Sequence, residues 1–261
     1  MRCAIALALL VTAAACPRLE RPPPELAGQS PEQALAELVH SGRAHRQAIG
    51  LVRIDYLAGD GVFRGDADVA VARPGQLRFE LRSFFGQPLL ALAVDGPQFA
   101  YVDNGATAIV RGSSAAGRLR QILPLALAPD LAVPLLLGSV PDLGAGTVGY
   151  IRPEVAGAVG LEVIGSTAQW RLEIDERSHA LLRVARSDRS GRRDFVARLA
   201  DHAAVGGVAF PRRGEIEVAG RAGAVRWHWL QVEVNGAPLD AALWQLAIPT
   251  GYSVEEAAAQ P

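Results

Sequence analysis

Apolar and charged side chains trade places at every second position over long stretches of this chain. Leu77, Phe79 and Leu81 alternate with Arg78, Glu80 and Arg82, and Trp170, Leu172 and Ile174 alternate with Arg171, Glu173 and Asp175. Successive side chains of an extended backbone point to opposite faces, so this period buries one face and wets the other, as in an antiparallel strand. Comparable runs recur at about 60–72, 88–95, 98–103, 106–111, 159–165, 179–187, 193–203, 214–219 and 224–235. Glycine, proline and the pairs Asp95-Gly96, Asn104-Gly105 and Asn235-Gly236 separate them, which suits short hairpin links. Half of the 261 residues are apolar, enough to bury a sizeable core. The expected fold is mainly β, a single curved antiparallel sheet of about eleven strands.

Two stretches depart from this period. Ser30-Pro31-Glu32-Gln33 combines a hydroxyl N-cap, proline in the first turn, an acid and a capping-box glutamine, which predicts an N-terminal helix running to Ser41-Gly42. Leu35, Leu38 and Val39 share one face of it and need an apolar neighbour. From about 113 to 141 the spacing turns helical and very apolar, with Leu119, Ile122, Leu123, Leu131, Val133 and Leu135 to Leu137, broken by Pro124, Pro129 and Pro134. Short helices inserted into a curved sheet suggest a lid over a cavity. They would equally serve as a plug in a filled barrel.

The N-terminus sets the compartment. Met1-Arg2, the apolar run Cys3 to Val11 and the small residues Thr12 to Ala15 have the order of an export signal over 1–15. That apolar run, at about nine residues, falls short of a hydrocarbon core of roughly 30 Å, and no later segment reaches the ~18 apolar residues of a spanning helix. Cys3 leaves with the signal, so Cys16 is the one thiol of the expected mature chain and an internal disulfide is impossible. Residues 16–29, with Pro22-Pro23-Pro24, predict an extended tether, reaching on the order of 40 Å from Cys16 to Ser30 at ~3.1 Å per residue. The folded domain is expected over 30–250, and 251–261 as a disordered tail.

Charge removes some functions. With 26 basic against 27 acidic residues the chain lacks the footprint of a nucleic-acid binder, and no nucleic-acid partner is expected. All the basic residues are arginine, so Schiff-base and P-loop lysine chemistry is excluded. Gly144-Ala145-Gly146-Thr147-Val148-Gly149 spells a dinucleotide fingerprint, but it follows no strand, and Pro153 blocks a helix after it, so it reads as a flexible turn. Gly112-Ser113-Ser114-Ala115-Ala116 lacks the last glycine of a nucleophile elbow. His40, His45, His179, His202 and His228 show no paired ligand spacing and read as surface or strand residues. Neither an enzyme, a metal nor a cofactor is expected.

The small residues ending at Cys16 resemble a bacterial lipobox, which implies acylation of Cys16, although Ala13 stands where the pattern prefers leucine. Pro17, in place of a retention aspartate, then implies the outer membrane. The run Arg78-Phe79-Glu80-Leu81-Arg82-Ser83-Phe84-Phe85-Gly86-Gln87-Pro88-Leu89-Leu90-Ala91-Leu92, then Asp95-Gly96, Pro129-Asp130-Leu131 and Leu135-Leu136-Leu137-Gly138-Ser139-Val140-Pro141, resembles the lipoprotein receptor LolB and its LolA-like relatives over roughly 45–235. The resemblance implies an incomplete β-barrel with a helical lid and an apolar cavity for acyl chains of a lipoprotein or lipid. It also implies a soluble LolA-type periplasmic carrier as partner, insertion into the inner leaflet of the outer membrane, and a monomer. Phe84 and Phe85 match the protruding apolar loop that such receptors use to engage the membrane. Phe79, Leu81, Leu90, Leu92, Phe99, Tyr101, Trp170, Trp227 and Trp229, with Leu135 and Leu136 from the lid, are the expected cavity walls. A second reading stays open at this point: a non-catalytic scaffolding lipoprotein that holds a protein partner and takes up no lipid.

Overall fold

The computed structural model describes residues 23–26, 28–58, 61–83, 85–103, 105–113, 127–205, 207–220, 223–248 and 250–257. The export segment, Cys16, Phe84 and residues 114–126 of the expected lid lie outside the described residues.

Helix α1 (Pro31–Gly42) forms where capping chemistry predicted it: Ser30 Oγ accepts the Gln33 amide at 3.3 Å and the Ser30 amide donates to Gln33 Oε1 at 2.9 Å. The strands are β1 (Gln47–Ala58), β2 (Gly61–Ala72), β3 (Gln76–Arg82), β4 (Pro88–Asp95), β5 (Gln98–Asp103), β6 (Ala108–Ser113), β7 (Gly146–Ile151), β8 (Ala158–Gly165), β9 (Ala168–Asp175), β10 (Leu181–Asp188), β11 (Arg193–Val205), β12 (Val208–Val218), β13 (Gly223–Val234) and β14 (Ser253–Glu256). Helix α2 (Pro129–Leu136) lies between β6 and β7. No helix among the described residues is long and apolar enough to cross a membrane.

The fourteen strands among the described residues join one sheet in the order β14-β6-β5-β4-β3-β2-β1-β13-β12-β11-β10-β9-β8-β7. β1 is the seam. Hairpins fan out from it through β2 to β6 on one side, and the chain returns on the other, with β13 paired along β1 from Ala48↔Val234 to Ala58↔Gly223. The pairings are antiparallel except for β14, which runs parallel to β6.

The mainly β fold in one curved open sheet is as expected, but fourteen strands replace eleven, because β1, β7 and β14 were not read as strands. β1 carries apolar Ile49 and Leu51 on the face opposite Ala48 and Val52, so its alternation is blurred; the register shift with β13 beside Leu51/Val52 comes from the extra residue Leu230 on β13. The glycine-rich segment read as a flexible turn supplies β7, paired with β8 from Gly146↔Gly165 to Ile151↔Gly160. Asn235-Gly236, read as a hairpin link, instead ties the end of β13 to the start of β1. Asn235 Oδ1 accepts the Arg46 amide at 2.8 Å, and Nδ2 donates to the Ala44 carbonyl at 2.7 Å.

The two faces differ in chemistry. One face of every strand from β1 to β5 and β8 to β13 feeds a single apolar cluster that also holds Leu26, Leu38 and most of α2. The other carries cross-strand ion pairs such as Arg53–Asp66 (2.9 Å), Arg82–Asp68 (2.6 Å) and Arg198–Glu217 (2.7 Å). These exposed pairs contribute ~0–1 kcal/mol each, but they set which face is wet. Where apolar residues do occur on that outer face, the C-terminal segment covers them. A 3-10 turn at Ala241–Trp244 seats Trp244 on Ala70 and Ala72, and Leu246 and Tyr252 pack on Ala93, Val102 and Ile109. Arg78 fixes this strap by donating to the Gln245 carbonyl at 2.9 Å. The segment expected as a disordered tail therefore holds β14, which gains backbone pairing by closing the β6 edge.

Candidate functional site

The inner face and α2 together build the candidate site. α2 starts at Pro129, whose missing amide costs nothing in the first turn, and its buried residues are all apolar: Pro129 itself, Ala132, Val133, Pro134, Leu135 and Leu136. Pro134 removes one amide from inside the helix, which shortens it. The helix packs across β2 and β3, whose inner-face residues Val69, Leu77 and Phe79 belong to the same apolar cluster.

Every residue expected to wall a cavity belongs to this one cluster. Phe79, Leu92, Phe99, Trp170, Trp227, Trp229, Leu135 and Leu136 are buried in it, and Leu81, Leu90 and Tyr101 are partly buried against it. Aromatic rings meet at defined angles inside: Trp170 edge-on to Phe195 at 6.1 Å, and Trp229 tilted against Phe210 at 6.1 Å. Trp227 lies over Gly214 of β12, where an added Cβ would fall 2.1 Å from the indole ring, so this strand position must be glycine for the ring to lie flat. At one end of the interior Arg186, held by Asp194 at 2.8 Å, sits 5.5 Å from the centre of the Trp170 ring.

The opposite end bears α1 and the turns β2–β3, β9–β10 and β11–β12. A cleft of about 260 Å³ opens there, with Leu26, Leu38, Ile174 and Leu181 of the apolar cluster on its floor and Glu37, Arg177 and His179 at its rim. Beside it a polar latch holds the end of α2. Arg73 donates to the carbonyls of His45 and Gly42, both at 3.1 Å, and to the hydroxyl of Ser139, which in turn donates to the Pro134 carbonyl at 3.0 Å. His45, buried and edge-on to Phe210 at 5.4 Å, places Nδ1 3.1 Å from the Leu137 carbonyl. Burial pushes the His45 imidazole below its ordinary value, with the Leu137 and Val205 carbonyls pulling the other way. Burial also lowers Arg73, and nearby Arg43 adds to that.

His45 was read as a surface or strand residue, and the structure corrects this: it is a buried core histidine between α1 and β1. The latch had no sequence signal, because Arg73 and Ser139 are brought from two distant segments to the α1–β1 junction that holds Gly42 and His45. Among the described residues no group of three His, Cys, Asp or Glu side chains could hold a metal ion.

The β3–β4 loop lies at the end of the sheet away from the latch. Ser83 shapes it, its amide donating to the Gln87 carbonyl at 2.7 Å while its own carbonyl accepts from Gly86 at 2.8 Å. Gly86 sits at φ +76, which a side chain would resist, and the turn leaves Phe85 86 % exposed, with Leu89 also exposed nearby. Phe84 lies outside the described residues.

One open β-sheet curved round an apolar interior, with a helix laid across its inner face, is a LolA-like fold. Comparison with solved structures gives the same class. A DUF1329 family protein from Desulfovibrio piger superposes with a TM-score of 0.61 over 83% of this chain and 98% of its own, at 10% identity. A LolA superfamily protein from Nitrosomonas europaea gives 0.54 over 80% and 96%, at 13% identity. An outer membrane lipoprotein-sorting protein domain from Vibrio parahaemolyticus gives 0.52 over 79% and 94%, at 8% identity. No protein-family model and no curated protein matches the sequence.

Proposed function

We propose that this chain is a lipid-anchored protein of the bacterial envelope that holds acyl chains of a lipoprotein or lipid between its sheet and α2 and passes them to the outer membrane, as LolB-type receptors do. The observation that carries this reading is a single apolar cluster running from the inner faces of β3–β5 through β13 to β8–β10, roofed by a helix whose buried residues are all apolar and continuous with the floor of an open cleft.

Transfer energies give such a protein its purpose. A triacylated cargo with ~48 methylenes loses up to roughly 40 kcal/mol on entering water, at ~0.8 kcal/mol per methylene, so it must pass from one apolar interior to another. The cleft of about 260 Å³ falls below the ~300–1,000 Å³ of ordinary ligand pockets, so a long chain requires α2 to move off the inner face. The short latch at Gly42, His45, Arg73 and Ser139 makes α2 the removable part, since it is anchored at one end by a few polar contacts.

Phe85 is the membrane-touching residue in this scheme, and burying it in lipid returns about 2 kcal/mol. The tether suits that role. β1 has 12 residues and so is about 40 Å long at ~3.3 Å per residue. Of residues 16–29, expected as one tether, Leu26 packs in the apolar cluster, so the free part ends at about Glu25 and reaches on the order of 30 Å, and a body anchored at its latched end lays the Phe85 end on the bilayer by tilting along it. A soluble LolA-type carrier is the donor, and the protein acts as a monomer without catalysis.

The test uses the full chain carrying Cys16→Ser, which removes the acylation site. A dansylated fatty acid should bind saturably with enhanced fluorescence and be displaced by a triacylated peptide. Absence of saturable binding at micromolar protein overturns the proposal and leaves the scaffolding role.

A further inference from the structure

The interior is not chemically uniform. Trp227 and Trp229 occupy successive inward positions of β13, with side chains 3% and 0% exposed, and neither indole Nε1 has a hydrogen-bond partner among the described residues. Tryptophan Nε1–H donates only, and buried donors in folded proteins are nearly always paired, since an unpaired one forfeits its hydration with no return. Two on one strand face, about 7 Å apart at the ~3.3 Å rise of a strand, form a pattern.

Neither ring is free to turn its donor toward solvent. Trp227 is pressed flat on the β12 backbone at Gly214, and Trp229 leans on Phe210, which packs on His45. The donors are therefore fixed before any guest arrives, so little side-chain entropy is lost when they are used. Around them the lining is hydrocarbon and aromatic: Val52 and Ile54 of β1, Phe210 and Ile216 of β12, and Val225 of β13. A guest complementary to that surface is a hydrocarbon chain with an acceptor oxygen at its head.

We propose that Trp227 and Trp229 form a two-donor handle for acyl carbonyl oxygens, so that the interior takes chains ending in an ester or amide in preference to bare hydrocarbon. This deepens the proposed acyl-binding function and rests on it. Each indole donates Nε1–H to one carbonyl oxygen, and no bond is made or broken. Trp229 meets Phe210, and Phe210 in turn meets His45, whose ring faces the Leu137 carbonyl at the end of α2, so the handle lies two ring contacts from the latch.

The experiment measures displacement of N-phenyl-1-naphthylamine from the full chain carrying Cys16→Ser by methyl oleate and by 1-octadecene, both delivered from cyclodextrin. Methyl oleate is expected to compete about fivefold to tenfold better per donor engaged. Trp227→Phe and Trp229→Phe, which keep an aromatic ring and delete the N–H, should when combined lower methyl oleate affinity about fivefold, since one ester carbonyl uses one donor at a time, and leave 1-octadecene unchanged. On the unsubstituted indoles, methyl oleate should move two tryptophan Nε1–H resonances downfield in a nitrogen–proton correlation spectrum, a readout that survives even if a Phe variant fails to fold. Equal competition by ester and hydrocarbon, with no indole shift, overturns the handle while the acyl-binding function stands. Failure of both competitors to displace the probe, or of the probe to bind at all, overturns both.

Discussion

Arg73→Ala should loosen α2 at one end and destabilise the whole domain by about 3 kcal/mol. The guanidinium donates to two backbone carbonyls and to the Ser139 hydroxyl, and each such bond is worth roughly 1 kcal/mol net for a half-buried donor. Ser139→Ala removes the Arg73 contact together with the hydroxyl's bond to the Pro134 carbonyl, so its cost is about 1–2 kcal/mol. Because both substitutions delete the same Arg73–Ser139 contact, the double variant should lose about 1 kcal/mol less than the two single losses combined. Urea unfolding of the full chain carrying Cys16→Ser measures all three, and the shift should lie in the midpoint with the slope unchanged. Hydrogen exchange at the Gly138 and Ser139 amides, which close on the Leu135 and Pro134 carbonyls, should accelerate in Arg73→Ala more than in the sheet. A loss below about 1 kcal/mol for Arg73→Ala, or strictly additive losses, would refute the idea that this cluster latches the helix.

Three further outcomes follow from other parts of the molecule. Glu173, buried on the outer face under the β7–β8 loop, accepts from Arg183 at 3.0 Å and from the Glu154 and Val155 amides, so Glu173→Ala leaves the buried guanidinium with only its Glu154 pair at 3.1 Å and should cost about 2–3 kcal/mol in the same unfolding assay; a cost near zero would count against a structural role for the pair. Burial holds His45 and His202 below the ordinary value of about 6.5, so as pH falls through that value the unfolded chain takes up protons that the folded chain refuses. Stability should therefore decline from pH 7.5 to 5.5 with a slope of at most ~1.4 kcal/mol per pH unit per histidine, and His45→Phe should flatten it; an unaltered slope would remove His45 from the account. Phe85→Asp should leave the unfolding midpoint within ~0.5 kcal/mol of the parent and leave acyl-probe binding intact, yet reduce transfer of the probe to liposomes; undiminished transfer would remove Phe85 from the membrane step.

The alternation of Leu77 to Arg82 and Trp170 to Asp175 was enough to determine strands, a mainly β class and which side chains would meet inside, because a two-residue period is a property of the local backbone. The capping box at Ser30 and the glycine turn at Gly86 between β3 and β4 were legible for the same reason, since their partners lie within four residues. β7 escaped because its glycines carry no side chain to show a period, and β14 because four exposed residues pairing with an edge leave no apolar mark.

Only the tertiary structure decided that β1 is the seam, that the C-terminal strap covers Ala70, Ala93 and Ile109, and that His45, Arg73 and Ser139 clasp the end of α2. It also decided that two indoles on β13 would face a hydrocarbon interior without acceptors among the described residues. Residues as far apart as Ala44 and Asn235, or His45 and Leu137, meet through the closure of the whole sheet. The free energy of such a contact is set by the burial and geometry of groups the local sequence does not contain, which is why pattern alone could foresee a greasy interior but not the polar atoms that stand within it.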